Sequence, residues 1–136
     1  MTLLSYARFA KDLGISYSDV IAAIHDEETD FEVDNYRFIA DSEIDEVMES
    51  ELEGDEYILG CFNAWFLADV LGVDTDVIEA MQKAEAYEAI GKLVISMGKT
   101  SELQQAYASA DGYGHHFNSW DGSDDEIGSY HVFRTN

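Results

Sequence analysis

The sequence predicts a mostly helical α+β fold: a helix-turn-helix-like N-terminal part with a short two-stranded wing, a central apolar helix and a C-terminal β-hairpin. Three observations predict it. The 136 residues contain no proline, so no helix is broken by a missing N–H. Apolar residues recur at helical spacing through most of the stretch from Leu3 to Ala110. Strand-like texture is confined to Phe31–Ile39 and to the aromatic, glycine-punctuated stretch after Gly112.

The first helix runs over 3–13, with Leu3, Tyr6, Phe9, Ala10 and Leu13 on one face and Gly14 as its left-handed cap. Ser16 and Asp19 form a capping box opening a second helix, whose buried face is Val20, Ile21, Ala23 and Ile24. The acids from Asp26 to Asp30 crowd its negative end and stop it. Phe31–Val33 and Tyr36–Ile39 are two strands joined by the turn pair Asp34-Asn35. Asp41 or Ser42 starts a third helix with Ile44, Val47, Met48 and Leu52 inside.

Tyr57 to Leu71 is the most apolar stretch and is expected to be the central buried helix, ended by Gly72. Asp74 caps the next helix. Another runs through Tyr87, Ile90, Leu93, Val94 and Met97 to Gly98, and a last one spans 101–110. Gly112–Trp120 and Ser129–Arg134 are read as the two arms of the closing hairpin, with 121–126 as a loop. The length suits a single compact domain, 1–136, with parts at 1–53, 57–110 and 111–136.

Charge limits the function classes. Seven Lys+Arg oppose 29 Asp+Glu, a net charge of −22. Binding nucleic acid directly requires cations that displace phosphate counterions, and attraction to an anionic membrane requires the same. Neither is expected here. No apolar run approaches the roughly 20 residues of a membrane span. The start, Met1-Thr2-Leu3-Leu4-Ser5, lacks the basic and apolar regions of a signal peptide. The single cysteine, Cys61, has no partner for an internal disulfide, so a cytoplasmic protein is expected. Its apolar flank predicts a buried thiol.

Two segments align at an offset of 58 residues: Phe9–Val20 and Leu67–Ile78. Each has a small Ala where two helices cross (Ala10, Ala68) and a Gly four residues later (Gly14, Gly72). With the two strands at 31–39 and the helix that follows, residues 5–52 resemble the winged helix-turn-helix domains of phage excisionases and MerR-type regulators. That resemblance implies a DNA-reading second helix. The residues there are Ser16, Tyr17, Ser18, Asp19, Ala22 and His25, and no Lys or Arg lies between Lys11 and Arg37. The sign of that face is inverted.

Residues 26–56 hold 15 of the 29 acids against the lone Arg37. Such crowding costs stability through self-repulsion. The candidate partner-binding face is Asp26, Glu27, Glu28, Asp30, Glu32, Asp34, Asp41, Asp45, Glu46, Glu49, Glu53, Asp55 and Glu56. Asp41, Asp45, Glu49 and Glu53 would form a ladder of charges about 6 Å apart. Duplex DNA carries one charge per about 1.7 Å of axis, so a folded acidic array can imitate its backbone. A solvated face, or adaptation to high salt, explains single acids equally well. The concentration in one segment and a magnitude beyond the about 2–8 that solubility needs favour mimicry. In composition the chain resembles small acidic anti-restriction and anti-CRISPR proteins of phages, some of which mimic DNA.

The expected function is therefore a non-enzymatic acidic inhibitor of a basic nucleic-acid-binding protein or complex: a nuclease, defence effector or polymerase. Tyr113, Phe117 and Trp120 could add aromatic anchors. A protein–protein adaptor or regulatory module using the helix-turn-helix for contacts or homodimerisation is a second reading. A small enzyme with a His/Asp site in the hairpin is a third. For that reading the candidates are His131, one of the adjacent His115 and His116, and Asp121, Asp124 and Asp125. No Cys/His ligand spacing accompanies them, so neither metal nor cofactor is expected, and the histidines are read as hydrogen-bonded within the hairpin.

Overall fold

The computed structural model describes residues 3–136. In chain order its elements are α1 (Leu3–Leu13), α2 (Tyr17–His25), β1 (Asp30–Val33), β2 (Tyr36–Ala40), α3 (Ile44–Glu53), α4 (Glu56–Gly60), α5 (Ala64–Leu71), α6 (Thr75–Lys83), α7 (Tyr87–Ser96), α8 (Thr100–Asp111), α9 (Tyr113–Phe117), β3 (Asp125–Ile127) and β4 (Tyr130–Arg134). The fold is mostly helical α+β with one four-stranded antiparallel sheet. Among the described residues no helix is long and apolar enough to cross a membrane.

The chain forms two units. One takes the chain up to Ile44 together with Asp111–Asn136, and the other is Asp45–Ala110. This division differs from the parts read in the sequence, because the C-terminal segment completes the sheet that the wing begins. The strand order is β1-β2-β4-β3, so β4 covers the edge of β2 that the wing hairpin leaves open.

In the first unit, Gly14 ends α1 at φ 72°, a conformation that a Cβ disfavours. Ser16 Oγ accepts the Asp19 N–H at 3.4 Å, as the capping box predicts. The Ser16 N–H is bonded from elsewhere: it donates to Asp34 Oδ2 at 3.1 Å. The wing turn thus helps cap the second helix. One face of the sheet supplies Phe31, Val33, Phe38, Ala40, Ile127, Tyr130 and Val132, which pack with Tyr6, Val20 and Ala23 of α1 and α2. Phe31 stacks on Phe38 at 4.8 Å. The Tyr130 hydroxyl donates to the Glu28 carbonyl at 2.7 Å, and burial pushes its pKa up.

Two expectations fail in the C-terminal segment. Tyr113–Phe117 is a short helix, not a strand. The hairpin is β3–β4, turning at Gly128-Ser129, and its first strand lies partly in the stretch read as a loop. Gly114 explains the helix: a Cβ there would fall 2.1 Å from the Gly122 carbonyl oxygen, so backbone packs on backbone. Phe117 then reaches the Phe133 ring at 5.1 Å.

In the second unit the expected central helix is two helices. Cys61, Phe62 and Asn63 interrupt it, and the Asn63 side chain accepts the Trp65 N–H at 3.1 Å to start α5. The break turns Tyr57, Ile58 and Trp65 outward, with Trp65 62% exposed, while Leu59, Leu67, Ala68, Val70 and Leu71 stay inside. Cys61 is exposed, contrary to the expectation from its flank, because it caps the end of α4. The second helix-turn-helix repeats the first turn at the backbone. Ile15 N donates to Ala10 O, and Val73 N to Ala68 O, both at 3.0 Å. Gly72 has φ 71°.

Thr100 is buried and its hydroxyl has no hydrogen-bond partner among the described residues. Thr100→Val keeps the shape and removes the stranded group, so it should raise stability by about 1 kcal/mol. A denaturant midpoint that falls would show that the hydroxyl is bonded.

Candidate functional site

The candidate acids are surface groups, though not uniformly exposed. Among the thirteen acids, Glu49 and Glu56 are half-buried and the other eleven are exposed. Asp26, Glu27 and Glu28 form the turn after α2, where Glu27 adopts φ 57°. Glu32 stands on β1. Several acids have structural partners. Arg37 holds Asp30 through two bonds, Nε–Oδ1 at 2.9 Å and Nη2–Oδ2 at 2.7 Å. Asp34 binds the α2 cap, and Asp55 Oδ1 accepts the Ile58 N–H to start α4. Glu56 lies 3.9 Å from Lys92 Nζ. Asp45 accepts from the buried Gln104 amide at 2.9 Å.

The expected four-rung ladder is shortened. Helix α3 begins at Ile44, and residues 41–43 are a turn. Asp41 lies outside the helix, with its Oδ1 2.7 Å from His131 Nε2. What α3 presents is Asp45, Glu46, Glu49 and Glu53, anchored from behind by Met48 and Leu52, which are 0% and 1% exposed. Both residues are fully inside, so packing holds the carboxylates on a rigid rod.

The aromatic candidates separate. Phe117 is a core residue and has no surface to offer, which removes it as an anchor. Tyr113 is half-buried with its ring 5.2 Å from that of His131. Trp120 alone is open, 63% exposed, with the Arg134 guanidinium stacked 3.9 Å from its ring centroid. Below it, the Asn118 side chain caps the loop by accepting the Trp120 and Asp121 N–H groups. The Ser123 hydroxyl and N–H, both donating to Asp121, hold its carboxyl below the usual range.

His131 is where the structure gathers chemistry. It is 7% exposed and lies between carboxylates on both sides. The sheet explains this by period and register. Glu126 is the cross-strand partner of His131, and Ile39 is its partner on the other side. Asp124, two residues before Glu126, and Asp41, two after Ile39, continue on the same face. Nδ1 lies 2.9 and 3.0 Å from the two oxygens of Asp124 and 3.6 Å from Glu126 Oε1. Of the expected companions, Asp124 is at the ring. Asp121 turns to Ser123, Asp125 faces the other way in register with Val132, and His115 and His116 lie on α9. The sequence reading missed Asp41 and Glu126 here, and the i, i+2 spacing of Asp124 and Glu126 was the signal.

No known protein family, curated protein or solved structure matches this chain.

Proposed function

We propose that the chain is a non-enzymatic acidic inhibitor that occupies the nucleic-acid-binding surface of a basic protein or complex, in the manner of a phosphate backbone. The observation that carries this reading is α3: a helix whose inner face is fully buried and whose outer face is carboxylate. A helix rises 1.5 Å per residue, so Glu49 and Glu53 stand about 6 Å apart, on the few-ångström scale of backbone charges. The excess of 22 negative charges leaves most acids without a cation in the chain itself. A basic partner would supply those cations and release their counterions. The wing adds Glu32 to the acids of the α2–β1 turn in the other unit. A phage or mobile-element origin, acting against host defence or DNA metabolism, fits this role.

The test is capture from a bacterial lysate on the tagged full chain, followed by elution with duplex DNA. A nuclease, polymerase or defence complex released by DNA supports the reading. A partner that DNA does not displace contradicts it and favours an adaptor using other surfaces, such as the exposed Trp120 or Trp65.

A further inference from the structure

We propose that His131 Nδ1, Asp124 and Glu126 form a site for one divalent transition-metal ion of the zinc class, with Asp41 as the carboxylate that orients the ring. The site departs from the expectation of no metal. A carboxylate only accepts, so the 2.7 Å contact of Asp41 with Nε2 places the ring's N–H there. In the neutral ring, Nδ1 then carries a lone pair. It points at two further carboxylates, which also offer only lone pairs. A proton on Nδ1 or a metal ion in its place holds such a convergence together, and the 2.9 Å contact with Asp124 marks the point where the ion would replace the proton.

The dimensions suit a metal. One donor atom from each of the three residues lies within 4.8 Å of the others. Donors about 2.0–2.2 Å from one ion stand roughly 3.3–3.6 Å apart in a tetrahedron, so the Nδ1–Asp124 contact would open slightly and wider pairs would close. An imidazole donor favours zinc, iron, nickel or copper over magnesium and calcium. The Asp41–His131 pairing is the carboxylate–histidine arrangement that fixes the tautomer at metal centres. The ring is held in place as well, stacked with Phe133 at 6.1 Å and edge-on to Tyr113. Three protein donors leave coordination positions for water or an outside ligand, on the side where Glu126 is exposed.

Zinc titrated calorimetrically into the chelator-stripped full chain should bind at one ion per chain. Asp124→Asn and Glu126→Gln should each weaken binding by about tenfold or more, and Asp41→Asn by about 10–100-fold as an outer partner. Asp125→Asn removes the same charge next door on the opposite face, and should change affinity by less than about twofold. In the zinc-loaded protein, the ¹⁵N signal of His131 Nδ1 should shift to the metal-bound position while Nε2 stays protonated. Three results would overturn the site: no stoichiometric binding, equal loss in Asp125→Asn, or a ring still protonated on both nitrogens at saturating zinc.

Discussion

Gly91→Ala is expected to unfold the Asp45–Ala110 unit or to leave it barely stable. A Cβ at Gly91 would lie 1.9 Å from the Glu56 carbonyl oxygen, and one at Gly60 would lie 1.9 Å from that of Tyr87. The two glycines face each other's helices, so α4 and α7 meet backbone to backbone. Neither obstructing atom belongs to a side chain that could rotate away. Relief requires the helices to separate, which opens the packing of Leu59, Ile90 and Val94, all 0% exposed. The cost should be about 3–5 kcal/mol, a large part of the roughly 5–15 kcal/mol that holds a domain together. Thermal unfolding followed by far-ultraviolet circular dichroism measures it. Gly54→Ala is the control, since its Cβ would meet only ordinary contacts at 3.5 Å. It should change stability by less than about 0.5 kcal/mol. Equal behaviour of the two variants would refute the close crossing.

The second large effect separates binding from folding. Glu46→Gln, Glu49→Gln and Glu53→Gln together remove three charges from the outer face of α3 and leave Asp45 to its bond with Gln104. Like charges three or four apart on a helix repel, so the triple variant should be more stable by about 0.5 kcal/mol. Capture of the basic partner should nevertheless fall by about a thousandfold or more, because three charge-assisted hydrogen bonds are lost and each is worth roughly 1.5–3 kcal/mol. Acids kept only for solubility would show the stability gain without the binding loss. Comparing the melting midpoint and the captured amount of one variant therefore distinguishes the two accounts.

Much of the fold is legible in local residue patterns. The Ala10–Gly14 and Ala68–Gly72 pairs announce two turns that share the bond from the residue after the glycine back to the alanine carbonyl. Asp34-Asn35 announces the wing turn, and Asp34 takes up φ 55° there. The misreadings share a cause: apolar content says that a segment packs, but not where its backbone breaks. Asn63 is one polar residue in an apolar run, and its side chain ends the continuity by capping α5. The aromatics of 113–117 suit a strand by type, but Gly114 allows a close approach that only a helical turn exploits. The His131 cluster was hidden for a related reason. Its carboxylates come from two different strand neighbours, and only the register of β2, β4 and β3 brings 41, 124 and 126 to one ring. The acids of α3 needed no register, because one helix carries them all.

The most direct measurement of the central claim is the salt dependence of the captured complex. For the wild-type chain, the logarithm of the binding constant should fall steeply and linearly with the logarithm of salt concentration, as it does when DNA is bound. The Glu46, Glu49 and Glu53 triple variant should show a slope shallower by about two to three units, close to one for each carboxylate neutralised. A wild-type slope near zero, or one that the triple variant leaves unchanged, would contradict the claim that α3 stands in for a phosphate backbone.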